Sequence, residues 1–491
     1  MPWSVLGGCS IALLAAALLR LPHMWAFLAI VGLSVGVLSL AARDFKLYWL
    51  AIYAFALPLE LKKLLIAPSS VQEFVLTYGF PIGELPAPVL YLADLPFLVL
   101  LLYWGFEIAS GKQRIVFPRS HWLAVAFIGW SGISLVNAPS FSSGFFELIR
   151  MGKLYLLYLY AANNIRSNET VRTLLKYFMI GVLLQGIICL LQYFLQDMGF
   201  LFSRLSGFSS GDLMKKIDPF FNVSDTDRLK RASGTAGAGN AEAMFFEFFL
   251  PVAFLLTVTG AKLKGRLLNL AAFVSGIFGT ILTFSRGGLI GLAAGLTAVL
   301  LLGWRHRFIP GWVFMPLLLA GIFLGIVTAP VAYGYLMTRP EAAMARLHLY
   351  KVGWAMIKRH PILGVGLNNH LIVKPRYDPW TYVFQMPTHN HFIIVASQVG
   401  IPGLIFFLGF LLSALRSALR AAGASDPYLG AVALGVFGAM FAVLLHVQVD
   451  YLGTYTSVSL LWLFCGLAAG LNRTKLEGSF TGPGAMHAHG G

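Results

Sequence analysis

Long apolar runs, one after another along the chain, constrain this sequence more than any motif it contains. Runs near the length a helix needs to cross a bilayer, about 20 residues, recur at 4–19, 24–41, 46–59, 89–106, 121–138, 145–162, 174–195, 241–259, 267–283, 287–302, 312–329, 391–412, 428–447 and 455–471. Backbone inside hydrocarbon must satisfy its own hydrogen bonds, and runs of this length do so as helices. The expectation is an all-α polytopic membrane protein of about 12–14 transmembrane helices, with 46–59 and 145–162 the weakest runs. The composition, 58% hydrophobic against 11% charged, excludes an ordinary soluble domain.

The net charge of +16 would suggest nucleic acid in a soluble protein. Here the basic residues sit in short loops between runs, where membrane orientation and anionic lipid explain them and no nucleic-acid partner is expected. The first run, Val5 to Leu19, lacks a basic leader and a small-residue cleavage site, so it reads as a retained span. Cys9, Cys189 and Cys465 all fall inside apolar runs and read as small hydrophobes, not disulfides or metal ligands. The sequence holds no Walker A motif, dinucleotide fingerprint, zinc spacing or internal repeat. No cofactor is expected, and energy must come from the substrate or a gradient.

Lysine and arginine fix the orientation, because basic loops stay cytoplasmic. Lys112, Arg114 and Arg119, then Arg166 and Arg172, Lys262, Lys264 and Arg266, Arg305 and Arg307, Arg416 and Arg420, and Arg473 and Lys475 all fall on one side under alternating threading. Both termini are then cytoplasmic, and the insertions 60–88, 196–240 and 330–390 face outward. The domain expected is a transmembrane unit over 1–472, followed by a disordered cytoplasmic tail over 473–491. Within 330–390, Ala343, Leu347, Tyr350, Trp354 and Ile357 recur at spacings of four and three, one face of an amphipathic helix stopped by Pro361. Such a helix is either a cap resting on the bundle or a lid touching lipid headgroups.

The chemistry concentrates in a few places. Pro387 to Gly403, PTHNHFIIVASQVGIPG, runs from a polar segment straight into an apolar helix and carries His389, Asn390 and His391. Imidazole exchanges protons near neutral pH, so His389 at the mouth of a span is a candidate general base beside a lipid-anchored substrate, or else an interfacial helix cap. Arg286, in TFSRGG, sits where two apolar runs almost meet. A charge at the bilayer centre costs at least about 2.5–3.5 kcal/mol, so it calls for a partner or a wet cavity. Arg231 opens the small-residue stretch RASGTAGAGNAEA, and two guanidinium groups facing one pocket suit a diphosphate. Arg231 also reads as one of a solvated basic run with Lys215, Lys216, Arg228 and Lys230. Asp225-Thr226-Asp227 forms a DxD pattern of the metal-holding kind, cheap in a polar loop; no metal is expected. Asp450, with His446 and Gln448, reads as an interfacial cluster or an acceptor contact. Asp94, Glu147, Arg150 and Lys153 would line the path of a transporter or flippase.

HPILGVGLNNH followed by HNHFIIVASQVGIPG resembles the O-antigen ligase and polymerase superfamily of bacterial envelope glycosyltransferases, in whose ligases an HN or HS pair is followed after nine residues by G-x-x-G, as His389-Asn390 is by Gly400-Ile401-Pro402-Gly403. TFSRGGLIGL is similar to the family's arginine-bearing helix junction, and RASGTAGAGN to its upstream arginine stretch. The resemblance covers about 230–412. It implies a fold like the metal-independent C-type glycosyltransferases, at the periplasmic face of the bacterial inner membrane, with an undecaprenyl-diphosphate-linked glycan as donor and lipid A-core as acceptor. It further implies His389 as catalytic base, Arg231 and Arg286 binding the diphosphate, and inversion at the anomeric carbon; Asn390 and His391 are substrate-binding candidates beside His389, and the resemblance lends His391 no support. A polymerase, or a transferase to protein, would use the same chemistry.

Overall fold

A computed structural model describes residues 34–64, 89–195, 231–260, 262–337, 340–378 and 387–480. The expected span 4–19, most of 24–41, most of the insertion 60–88, the DxD pattern with its neighbouring basic residues from Lys215 to Lys230, and the tail beyond 480 lie outside the described residues. The rest is helical throughout except for a short antiparallel pair, β1 (Lys62–Leu64) against β2 (Val89–Tyr91). In chain order the helices are α1 (Phe45–Ala56), α2 (Asp94–Ala109), α3 (His121–Ser134), α4 (Phe141–Asn164), α5 (Asn168–Leu195), α6 (Gly239–Thr259), α7 (Leu263–Leu282), α8 (Arg286–Arg305), α9 (Gly311–Met337), α10 (Pro340–Arg359), the single turn α11 (His370–Val373), α12 (His391–Ala421), α13 (Pro427–His446) and α14 (Tyr455–Phe480).

Among the described residues seven helices are long and apolar enough to cross a membrane: α5, α6, α7, α8, α12, α13 and α14. The protein is an all-α, multi-pass membrane protein. Each expected run within the described residues forms a helix, except that 89–91 opens as β2 before α2 begins. The two weak runs are weak for different reasons. At 12 residues α1 rises only about 18 Å against a core of about 30 Å, whereas α4 is long enough but carries Glu147, Arg150 and Lys153 between its first turn and its middle.

Helix α6 forms the centre. Nearly every side chain from Glu242 to Leu256 is buried, the signature of a helix surrounded by others. It packs on α13, α7 and α8, while α12 lies against α3, α14 and α13, and α10 rests on α12. The α8–α13 contact is built on glycine: a Cβ at Gly291 would stand 2.7 Å from both the Ala442 carbonyl and Glu247 Oε1, and one at Gly295 2.7 Å from Ala442 Cβ and the Gly438 carbonyl. Backbones can meet this closely only where side chains are missing.

Candidate functional site

The apolar run that begins at His391 is not one straight helix. Gly400 adopts φ 74° and ψ 177°, which breaks α12 into a half-helix over 391–399 and a span over 401–421. Pro402 has no amide to offer the Gln398 carbonyl, so a carbonyl is orphaned there by the sequence itself. The segment HPILGVG supplies the missing partners. Val365 N donates to Ser397 O at 2.8 Å and Gly366 N to Gln398 O at 3.0 Å, while Pro361 O accepts from Ile401 N at 2.8 Å. Trp130 of α3 donates to Val399 O at 2.9 Å. Gly364 (φ 64°) and Gly366 (φ 99°) provide the left-handed backbone that this approach demands. The chain then doubles back: the His391 and Phe407 rings lie 5.7 Å apart, although 16 residues of straight helix would separate them by about 24 Å.

This fold-back fixes the histidine pair. Asn390 caps the half-helix, its Oδ1 accepting from Phe392 N at 3.0 Å and Ile393 N at 3.1 Å. Its Nδ2 donates to Gln448 O at 2.9 Å, and His391 N reaches Val447 O and Asp450 O, tying the start of the half-helix to the end of α13. Tyr350 of α10 places its hydroxyl 2.8 Å from His389 O and 2.9 Å from Gln448 O. His389 Nδ1 lies 3.0 Å from Pro387 O. A carbonyl only accepts, so Nδ1 carries the proton and the neutral ring's lone pair is on Nε2. Partial burial lowers the His389 pKa from its ordinary value, with Asp450 opposing the shift and Arg346 adding to it. His389 also meets the Tyr451 ring edge-on at 5.7 Å.

On the arginine side, Thr283 to Ser285 is all that separates α7 from α8. Phe284 takes a left-handed φ of 49° in this turn. Ser285 caps α8 through Gly288 N at 3.2 Å, and Arg286 is the first helical residue. Arg231, exposed, donates from Nε to Thr283 O and from Nη2 to Asn240 Oδ1, both at 2.7 Å. Asn240 Nδ2 in turn bonds Asp450 Oδ2, and Asp450 Oδ1 accepts from Tyr451 N at 2.9 Å. Contacts therefore run unbroken from Arg231 through Asn240, Asp450 and Tyr451 to His389. Beneath them, buried Glu247 bonds His446 Nδ1 at 3.1 Å, and His446 Nε2 lies 3.4 Å from Ser285 Oγ. A Cβ on Gly287 would strike the His446 ring at 2.5 Å.

The structure thus brings the segments of Arg231, Arg286, His389 and Asn390 together. His391 differs: its ring packs on Phe392 and Phe407, and its buried Nδ1 makes no hydrogen bond among the described residues. Asn240, Glu247 and Tyr350 were not legible as site residues, and Asp450 was legible only as one of a cluster. On α10 the face turned to the protein is Leu349, Val352, Met356 and Ile357. Leu347 and Trp354 of the expected stripe are 55% and 53% exposed, so that stripe does not all face inward.

Comparison with known families matches the O-antigen ligase model over residues 271–408. This segment belongs to the O-antigen ligase superfamily. It takes in Arg286, α10, the HPILGVG segment, His389 and the break at Gly400, and leaves Arg231 and α13 outside. The match supports an activity of the O-antigen ligase or polymerase type, in a family that in general joins a lipid-linked glycan to a lipid A-core acceptor. No curated protein matches the chain.

Proposed function

We propose that this protein transfers a glycan from undecaprenyl diphosphate to a hydroxyl of lipid A-core, at the periplasmic face of the bacterial inner membrane, with both termini cytoplasmic. The transmembrane unit over 1–472 is the catalytic domain, and the tail after it takes no part. The observation that carries this reading is the tautomer of His389. With Nδ1–H held by Pro387 O, Nε2 presents a lone pair, and partial burial favours the neutral form that a base requires.

In the proposed step His389 Nε2 takes the acceptor hydroxyl proton as that oxygen forms its bond to the anomeric carbon. The anomeric C–O bond to the diphosphate breaks on the opposite face, so the centre inverts, and undecaprenyl diphosphate leaves with the electron pair. Arg231 and Arg286 hold the departing diphosphate, each charge-assisted hydrogen bond contributing about 1.5–3 kcal/mol. Asp450 and Asn240 orient Arg231. Asn390 acts by capping the half-helix, and His391 is left out of the substrate contacts. As proposed, the step is carried by side chains and calls for no metal.

The test is product formation by purified protein in lipid, with an undecaprenyl-diphosphate glycan offered either lipid A-core or a second lipid-linked glycan. Glycan on lipid A-core, unaffected by a chelator and lowered about 10²- to 10⁴-fold in kcat by His389→Ala, is the expected result. Longer lipid-linked chains instead would make the protein a polymerase. Wild-type turnover in His389→Ala would remove the base assignment.

A further inference from the structure

His370, at the end of HPILGVGLNNH, is wholly buried. It lies in neither the arginine turn nor the proton path proposed above. Its Nδ1 is 2.7 Å from Ser397 Oγ on the half-helix, and its Nε2 is 3.2 Å from Thr388 Oγ1, one residue before His389. Each hydroxyl also reaches a backbone carbonyl, Thr388 Oγ1 donating to Leu349 O of α10 at 3.0 Å and Ser397 Oγ to Ile394 O at 2.8 Å. Burial, with neighbouring Lys374 adding to it, pushes the His370 pKa down to about 3, so the ring is neutral. A neutral imidazole has one donor and one acceptor nitrogen, and here each faces a hydroxyl.

We infer that His370 is a positioning residue for His389: its two hydrogen bonds lock Thr388, and through one peptide unit the His389 ring, to the half-helix and to α10. This rests on His389 acting as the base. The surroundings suit a lock, since a Cβ at Gly353 would stand 2.5 Å from Ile393 and 3.1 Å from Thr388 Oγ1, so α10 is pressed onto the same two residues. A structural filler would need no such pairing of donors and acceptors.

The experiment uses the full chain in lipid and two readouts: kcat and KM for the lipid-linked donor, and the rate at which diethyl pyrocarbonate modifies His389 without substrate, followed by mass spectrometry. Thr388→Val keeps the shape and removes the hydroxyl. It is expected to lower kcat about 10²-fold, the scale of a small misplacement, to leave KM unchanged, and to raise the His389 modification rate. Thr388→Ser restores both, and His370→Ala reproduces Thr388→Val. Wild-type kcat in Thr388→Val overturns the inference, as does lost kcat with an unaltered modification rate. If the modification rate changes while His389→Ala still turns over normally, the lock stands and the base assignment falls.

Discussion

On α2, α4 and α14, Asp94 holds Lys153 through both carboxylate oxygens at 2.9 Å and accepts the Tyr455 hydroxyl at 2.6 Å, while Lys153 Nζ sits 4.2 Å from the centre of the Tyr455 ring. Tyr91 stacks on Tyr455, Arg150 pairs with Glu147 at 2.6 Å, and Glu60 accepts from Tyr455 N and Thr456 N. Across α6, α12 and α13 the polar groups are arranged otherwise: the Arg231 side chain is exposed at one end of the contact chain, and at the other His389 Nε2 makes no hydrogen bond to a described residue. Asp94, Lys153 and Tyr455 lie within α2, α4 and α14, whereas Arg231 and His389 stand before α6 and α12. The first set spends its charges on one another and braces the bundle. The second leaves the Nε2 face of His389 without a described hydrogen-bond partner. A titratable group marks chemistry when its partners leave one of its atoms available.

Crossing one substitution from each set tests this contrast hardest. His389→Ala is expected to lose about 10²- to 10⁴-fold in kcat with an unchanged thermal midpoint. Lys153→Met should do the reverse, destabilising by the lower end of about 3–5 kcal/mol because Tyr455 still donates to Asp94, while turnover per folded molecule holds. Turnover lost from folded Lys153→Met would break the comparison. Next in size is Gly400→Ala, which meets Ile362 O at 2.0 Å on a backbone with φ 74°. A side chain held at this positive φ with ψ near 180° costs about 1–3 kcal/mol by itself, so loss of protease-resistant 360–403 is expected before any loss of α6 or α7.

Arg286→Lys keeps the charge and removes the planar fork. Transfer kcat/KM should fall about ten- to hundredfold, the scale of one charge-assisted hydrogen bond, and an equal rate would take Arg286 off the diphosphate. The smallest effect is on pH dependence. His389 works as the neutral form and its pKa lies below 6.5, so kcat/KM should be flat near neutrality and fall as pH drops through that lower value. Asp450 is what holds the pKa up against burial. Asp450→Asn should therefore move the acid limb to still lower pH, and a shift to higher pH would contradict the geometry.

How much of this was legible depended on distance along the chain. The helices are carried by local apolar runs, the Ser285–Gly288 turn by adjacent small residues, and the Asn390 cap by its place before Phe392. The Glu247–His446 bond was not legible: Glu247 is one of two acids within AEAMFFEFFLP, and its partner lies 199 residues away. The same holds for Asn240 and Asp450. The break at Gly400 left a trace in Gly400 and Pro402, but hydropathy averages over a window and cannot register one backbone angle. On α10 the spacing marked a stripe through Leu347 and Trp354, both exposed, and the face that packs is Leu349, Val352, Met356 and Ile357, which shares only Ile357 with it.

The break also settles a mismatch of lengths. As one straight rod the 31 residues of α12 would measure about 46 Å, against a hydrocarbon core of about 30 Å. A helix that overshoots its bilayer must tilt, thicken the lipid around it or leave apolar residues in water. Folding back at Gly400 does none of these: the span keeps 21 residues, about 31 Å, and the nine left over stay inside the protein's own envelope. Bilayer thickness should then bear on this helix only through 401–421, so membranes of different thickness can tilt the span while the arm carrying His389 keeps its place on α13.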